Sequence, residues 1–399
     1  MERTIKKPKE PLEKKVILRR AVIAVLAAVF LVFVGAINHV DKIAMNSRVG
    51  QTFERGTVTE ILRDNVQEDG SRVGDQKVKI RMHTGVRKDQ VIEATSSNGF
   101  LFGAACEPGT RVVVMQSVSG SQTVASVFAQ DRELPIYLFA AAFLVVLCLV
   151  GGKQGIKGAI GLVFTFFCIL FVYLPLVYRA LSPFWTAVLV CVLTTLVTMY
   201  LIGGPTKKTA VAIAGTMSGV IVAGVAATVF GAAAGLSGYN VSDIETLLTV
   251  WETSGVDVGG LLFSGLLISS LGAVMDVAMS ISSAINELYL QNPSISRRDL
   301  FKAGMHVGRD MMGTDSNTLI LAFAGTSLST LVLDYAYDLP YRQIINSNNI
   351  GIEIMQGLSG SFGIVLSVPI TVGLAVLLLT RRPASKDGCA AAPGPAQAD

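Results

Sequence analysis

The sequence has few charged residues and few aromatic ones. Asp, Glu, Lys and Arg make up 16% of the 399 residues and aromatic residues make up 7%, whereas 51% are hydrophobic. Soluble domains carry charge at about a quarter of their positions, so a chain this apolar needs lipid around much of its surface. Its 39 glycines agree with this conclusion, because helices that pack in a bilayer favour small residues at their contacts.

Motifs for metal, disulfide and ATP chemistry are absent from the sequence. The five cysteines form no CxxC pair and the three histidines lie far apart, which argues against zinc spacings and a disulfide framework. No GxxxxGK[ST] run is present, so the sequence has no P-loop for ATP. We therefore expect no metal and no cofactor. Basic residues lie at the chain ends and in short loops, a pattern that orients membrane helices and argues against a nucleic-acid partner.

The N-terminus combines a basic leader with an apolar run. Residues 1–20 are rich in Lys and Arg, and the apolar residues 21–37 come directly after them. A leader this long favours a retained signal anchor over a cleaved signal peptide, although Val34-Gly35-Ala36 is a weak cleavage pattern. We predict a cytoplasmic leader at 1–20 and a first transmembrane span at 21–37, and leave cleavage open.

Residues 50–131 are polar and have the pattern of a β domain. Apolar and polar residues alternate in runs such as Gln76–Arg81, and turn signals such as Pro108-Gly109 separate these runs. About five strands in this length are enough for a small barrel or sandwich. The lone His83 and Cys106 are more often structural than functional in such a domain, so we expect no site here.

Seven apolar segments come after the β domain, and each is long enough to cross about 30 Å of hydrocarbon. Lys and Arg collect at every second boundary, for example at Lys207 and Lys208, and acidic residues crowd the opposite loops. Basic loops lie on the cytoplasmic side, so both termini should be cytoplasmic and the β domain outside. A tail at 383–399, rich in Ala, Pro and Gly, is predicted to be disordered. The segments are 134–150, 158–178, 184–202, 209–235, 257–285, 304–333 and 351–380.

The predicted fold class is therefore an α-helical integral membrane protein of about eight transmembrane helices, with a small extracytoplasmic all-β domain, barrel-like or sandwich-like, between the first and second. The helices fill residues 134–380 after that domain. The bilayer is the expected partner. A homo-oligomer or a second membrane protein are further expectations for a chain with so many small residues at helix faces.

Polar residues mark one face of each of the last three spans. An ionisable residue inside a spanning helix costs several kcal/mol and needs a partner, water or a function. The sixth span carries Asp276 on a stripe of small and polar residues, and Pro369 interrupts the eighth span. We predict that the three stripes share an interior. The stripe residues are Gly265, Ser269, Gly272, Asp276, Ser280, Ser283 and Glu287, then Asp310, Thr314 and Asn317, then Glu353, Gly357, Gly360, Ser367 and Thr371. Arg309 adjoins the second stripe near the cytoplasmic end of its span, where its side chain can reach the interface.

Two interpretations of these stripes stay open at this point. Glycine and serine stripes let helices pack closely, with an ion pair fixing their register. Packing explains the glycines but not Asp276, because no basic residue shares its helix. A path for an ion or small solute would use Asp276, Ser280, Glu287, Arg309, Asp310, Thr314, Asn317 and Glu353.

The same segments resemble the signature stretches of the YibE/F family of bacterial membrane proteins. The resemblance lies in residues 272–280, 308–314 and 317–322, and in Glu353 with Pro369. It extends from the β domain to the eighth span, as if an external part and a multi-helix part were fused. Asp315 departs from the family pattern, which has an uncharged residue there. The resemblance implies a bacterial membrane or transport protein, and it bears on the fold and the location more than on the chemistry.

Three classes of function compete for this sequence. The leading hypothesis is a transporter or permease component whose polar path holds a cation, protons or a small solute. The second is a membrane scaffold or sensor whose β domain binds an external partner. The third is an intramembrane aspartyl protease that pairs Asp276 with Asp315, but the GxGD pattern is absent and only Gly313-Thr314-Asp315 partly matches it. We therefore expect no enzyme activity.

Overall fold

The computed structural model describes residues 10–39, 50–68, 70, 72–97, 103–119, 122–241 and 244–380. It is 70% helical. Contacts divide the chain into a unit of residues 42–152, which holds a β-barrel, and a helical unit of residues 1–41 and 153–399. The predicted tail at 383–399 and the first part of the predicted leader lie outside the described residues.

A closed five-stranded barrel occupies the first unit. The strand order is β1-β2-β3-β5-β4 around the barrel, and neighbouring strands are antiparallel except β3 and β5, which are parallel. Closure removes the free edges that would otherwise pair with other chains. The prediction of a small all-β domain is confirmed. The strands are β1 (Gln51–Arg63), β2 (Gln76–Met82), β3 (Val91–Ser96), β4 (Arg111–Ser119) and β5 (Gln122–Gln130).

Apolar and polar residues alternate along β2, and the apolar ones fill the barrel. Val78, Ile80 and Met82 are fully buried, while the residues between them point outward because successive side chains of a strand face opposite sides. Outside, Lys79 Nζ lies 2.8 Å from Glu60 Oε2 on β1. Val78, Ile80 and Met82 belong to the buried apolar cluster of the barrel, together with Val58, Val112 and Val114.

Eleven α-helices are described, and all except α1 come after the barrel. Five are long and apolar enough to cross a membrane, and a sixth span results if the bent pair α8–α9 is counted as one. The helices are α1 (Glu10–Asn38), α2 (Glu133–Cys168), α3 (Leu174–Tyr178), α4 (Pro183–Gly203), α5 (Lys207–Ala234), α6 (Ile244–Ser254), α7 (Val258–Gln291), α8 (Arg297–Thr326), α9 (Leu328–Ala336), α10 (Tyr341–Ile345) and α11 (Asn348–Leu379).

The predicted apolar segments all fall in helices, but the structure has five or six candidate spans where the sequence predicted about eight. Segments 134–150 and 158–178 lie in the helical stretch Glu133–Tyr178, which counts as one span by length and composition. A kink divides this stretch at Gly152, whose backbone is non-helical (φ 52°, ψ −131°), so a break does lie between the two predicted segments. In α1 the described apolar part is the shorter run Ala27–Asn38. The total of eight spans therefore stays a prediction.

The end of α1 is tied to the helical unit by polar contacts. The Arg179 guanidinium donates hydrogen bonds to the carbonyl oxygens of Ala36 (2.9 Å) and His39 (3.0 Å). These carbonyls lie at the C-terminal end of a helix, where oxygens lack helical partners and basic side chains stabilise them. Asn38 Nδ2 also donates to the Phe171 carbonyl at 2.7 Å.

Short polar side chains set where the long helices begin. Thr206, Ser296 and Ser347 each accept a hydrogen bond from a backbone N–H one turn ahead, at the starts of α5, α8 and α11. Such N-caps satisfy donors that have no helical partner. At the other end of α5, Gly235 takes a left-handed conformation (φ 66°) that glycine adopts without strain.

Candidate functional site

The predicted stripe on α7 does form one face, but that face points away from the neighbouring helices. Gly265, Ser269, Gly272, Asp276, Ser280 and Glu287 are exposed and Ser283 is half-buried. The opposite face, with Leu266, Val274 and Ile281, is buried. The expectation that the stripe faces an interior shared by the three helices is wrong for the described residues. In a bilayer the lipid tails are as apolar as Leu or Ile, so apolar character alone does not decide which face of a spanning helix packs inward.

The polar residues of α8 are also exposed. Arg309, Asp310, Thr314 and Asn317 all lie on the surface of the helical unit. His306 Nδ1 and Asp310 Oδ2 are 3.9 Å apart, and both side chains are about four-fifths exposed (83% and 79%). Arg309 has no ion pair or hydrogen bond with any described residue.

Contacts with α11 show how deep these residues lie. Gly308 on α8 packs against Val368 and Ile281, whereas Gly360 on α11 packs against Leu319 and Ser270. Asp276 lies between Ser270 and Ile281 along α7, and Asp310 lies between Gly308 and Leu319 along α8. Both acids are therefore level with residues 360–368, the middle of the apolar helix α11.

Asp315 belongs to the same level and was not among the predicted path residues. It is half-buried, and its Oδ2 atom and the neighbouring Ser316 Oγ are buried without a hydrogen-bond partner among the described residues. The sequence had singled out Asp315 because its charge departs from the family pattern. It was not predicted with the path residues because it lies on a different face of α8 from Asp310 and Thr314.

Glu353 lies apart from this group, near the start of α11. Thr326 Oγ1 is 3.4 and 3.5 Å from its two carboxylate oxygens. The helix pair α8–α9 bends by 58° here, and Glu353 lines two neighbouring cavities of about 320 and 240 Å³. At a rise of 1.5 Å per residue, Glu353 is about 15 to 20 Å from the level of Asp276.

Glu287 lies toward the opposite end, one turn before α7 ends at Gln291. It is about 15 Å from Asp276 along the helix axis. The structure thus brings six of the eight predicted path residues to one level and leaves Glu353 and Glu287 on either side of it. The six are Asp276, Ser280, Arg309, Asp310, Thr314 and Asn317.

The remaining members of the α11 stripe serve close packing. Gly360, Ser367 and Thr371 are buried. Glycines of α5 lie against them: a Cβ atom on Gly219 would come within 2.8 Å of Ser367 Cβ, and one on Gly215 would overlap Thr371. For this stripe the packing interpretation accounts for the small residues.

The two barrel residues considered from the sequence have structural surroundings. Cys106 is fully buried in the barrel core, and burial raises the pKa of its thiol, so it is unreactive at neutral pH. His83 Nε2 lies 2.8 Å from Thr57 Oγ1 on the barrel surface. Among the described residues, no group of three or more His, Cys, Asp or Glu side chains could hold a metal ion.

Comparisons with known proteins agree with the resemblance seen in the sequence. The family model described as YibE/F-like protein matches residues 139–381, which is more than half of the chain and includes α7, α8 and α11. The match begins after the barrel, so the part of the resemblance that covers the β domain stays a prediction. No curated protein and no solved structure matches the chain. The chain belongs to the YibE/F-like family.

Proposed function

We propose that this chain is a transport component of the bacterial cell membrane and that its polar path carries a cation or protons through the bilayer. A single observation supports the proposal: exposed acids, Asp276 and Asp310, lie level with the middle of the apolar helix α11. Without water or another protein against this face, the two carboxylates would contact lipid tails. Ionisable residues at this depth mark ion and proton pathways in membrane proteins.

The free-energy cost of placing these acids in lipid is large enough to argue against direct contact between them and lipid. A charged side chain at the centre of a spanning helix costs about 2.5–3.5 kcal/mol on insertion scales. Two of them cost about 5–7 kcal/mol, which is comparable with the whole stability of a typical domain, about 5–15 kcal/mol. Water or protein must therefore cover this face.

The charge of the path residues favours a cation over an anion. Three acids, Asp276, Asp310 and Asp315, lie at the central level, where the path residues include one basic residue, Arg309. Glu353 and Glu287 add acids toward the two ends. Carboxylates bind cations through oxygen or exchange protons, so a series of acids along the membrane suits stepwise passage of a cation or a proton.

The proposed arrangement in the membrane is based on the basic loops. Eight spans, cytoplasmic termini and an external barrel keep Lys207 and Lys208 inside the cell. Glu353 then lies toward the outside and Glu287 toward the cytoplasm. The path runs between them past Asp276.

Reconstitution tests the transport proposal. Purified protein in liposomes loaded with a dye selective for H⁺, Na⁺ or K⁺, one ion in each experiment, should pass at least one of these cations down an imposed gradient. Asp276→Asn should lower this flux at least about tenfold, which corresponds to about 1.4 kcal/mol on the barrier. Leu366→Ala, an exposed apolar position at the same depth on α11, should retain the flux. Flux of all three ions equal to that of empty liposomes, or full flux in Asp276→Asn, would contradict the proposal.

A scaffold or sensor is the second candidate, and one observation favours it. Phe53 and Phe128 stack edge-to-face on the barrel surface at 5.2 Å and are 44% and 55% exposed. Exposed aromatic pairs are common anchors for protein partners. If Phe53→Ala/Phe128→Ala fails to complement a deletion strain while Asp276→Asn complements it fully, the scaffold function is favoured.

A further inference from the structure

Helix α8 lies at the edge of the helical unit and has a polar outer side. It packs against α7 and α11 and continues into α9. The exposed residues on its outer side and on the adjacent stripe of α7 form one surface, which we call the α7–α8 face. The face consists of Gly272, Asp276, Ser280, Arg309, Asp310, Gly313, Thr314, Asn317 and Thr318.

This face has the composition of a helix contact in a membrane. A Cβ atom added to Gly272 or Gly313 would meet nothing within 4 Å, so another helix can approach closely at both positions. Small residues with polar groups between them are what transmembrane helices use to associate. The exposed surface around Leu366 is apolar by contrast, with Phe362 and Val365 as its neighbours.

The charges of the α7–α8 face on one copy of the chain are complementary to those of the same face on a second copy. Two copies of a membrane protein have the same orientation, so a two-fold axis that relates them runs along the membrane normal and brings residues of equal depth together. Arg309 and Asp310 are adjacent in sequence and differ in depth by about 1.5 Å. Arg309 of one copy can therefore pair with Asp310 of the other, and the symmetry makes the second pair. Arg309 has no partner among the described residues of its own chain.

We propose that a second copy of this chain covers the α7–α8 face and that the protein is a two-fold dimer in the membrane. The two faces meet at the level of Asp276, and reciprocal Arg309–Asp310 ion pairs join the copies. The acids of both copies then line the boundary between them. Dimer formation goes beyond the proposed transport function, and either can hold when the other fails.

Cysteine cross-linking in native membranes tests the dimer. In full-length protein with its five cysteines replaced by alanine, Gly313→Cys should give a disulfide-linked dimer on mild oxidation. Leu366→Cys, exposed on α11 at similar depth, is the control and should give at least about tenfold less dimer, since random collision does not favour one face. Equal cross-linking at both positions, or adducts of Gly313→Cys with other proteins only, would overturn the proposal.

Charge exchange tests the ion pairs. In labelled protein in lipid vesicles, subunit counting should show dimers, and Arg309→Asp should raise the dissociation constant about 100-fold, as loss of one partner of a buried charge pair does. Arg309→Asp/Asp310→Arg should restore dimers because the reciprocal pairs are reversed. A monomeric wild type, or a double variant as weak as Arg309→Asp, would overturn the proposal. Cation flux measured on the same vesicles reports separately on transport.

Discussion

Alanine at Gly363 should destabilise the helical unit, whereas alanine at Gly373 on the same helix should not. A Cβ atom on Gly363 would lie 2.7 Å from the Gly219 carbonyl oxygen and 2.9 Å from Ala223 Cβ. The first of these is a backbone atom of α5, so it cannot rotate away. A Cβ atom on Gly373 would meet nothing within 4 Å.

The comparison of these two variants isolates the steric effect. Both replace a helical glycine with alanine and gain the same helix propensity, about 0.5–1 kcal/mol. The difference between them therefore measures the cost of overpacking at the α5–α11 crossing. Overpacked cores lose about 1–3 kcal/mol, so Gly363→Ala should be less stable than Gly373→Ala by about that amount.

Two native cysteines provide the assay for this prediction. Cys168 and Cys191 are 0% exposed, so a thiol-reactive fluorescent dye should label them only when the helical unit unfolds. With Cys106, Cys148 and Cys389 replaced by alanine, heating the detergent-solubilised variants with the dye should give a midpoint several degrees lower for Gly363→Ala than for Gly373→Ala. Equal midpoints would refute the close α5–α11 contact and the packing role of the α11 stripe.

Further predictions concern topology and the barrel. An impermeant thiol reagent should not label Lys207→Cys in intact cells, and labelling there would reverse the proposed orientation. The excised residues 50–131 should give a β-type circular dichroism spectrum, and a helical spectrum would contradict an independent barrel. Because burial raises the pKa of the Cys106 thiol, the barrel should lose stability as the pH rises past the ordinary cysteine value of about 8.5. Thermal melts at pH 7 and 9 should show this loss in the wild type and a smaller one in Cys106→Ala.

Local sequence patterns predicted much of the fold. Alternation identified β2 and β4, and apolar length identified every long helix after the barrel, because both signals come from single elements. The number of spans was harder to predict, because length and composition count the stretch Glu133–Tyr178 once although a kink at Gly152 divides it. The position of this break was predicted, since the apolar segments 134–150 and 158–178 leave residues 151–157 between them.

The candidate site was predicted in part, and the reason lies in tertiary contacts. Periodicity placed Asp276 and Ser280 on one face of α7, and this is what the structure has. Periodicity does not say which face packs inward, and the aliphatic face around Ile281 packs inward instead. The separation of Glu353 from Asp276, and the similar depth of Asp276 and Asp315, depend on how α7, α8 and α11 align. Single-helix patterns do not contain this alignment.

The central claim is that the α7–α8 face at mid-membrane depth contacts a polar path and not lipid. The most direct measurement is the reaction of Asp276→Cys with a small charged methanethiosulfonate, which requires a thiolate in contact with water. In a cysteine-free background we expect rapid labelling at position 276 and none for Leu366→Cys, the exposed apolar control at similar depth. An unlabelled Asp276→Cys in folded protein would contradict the claim.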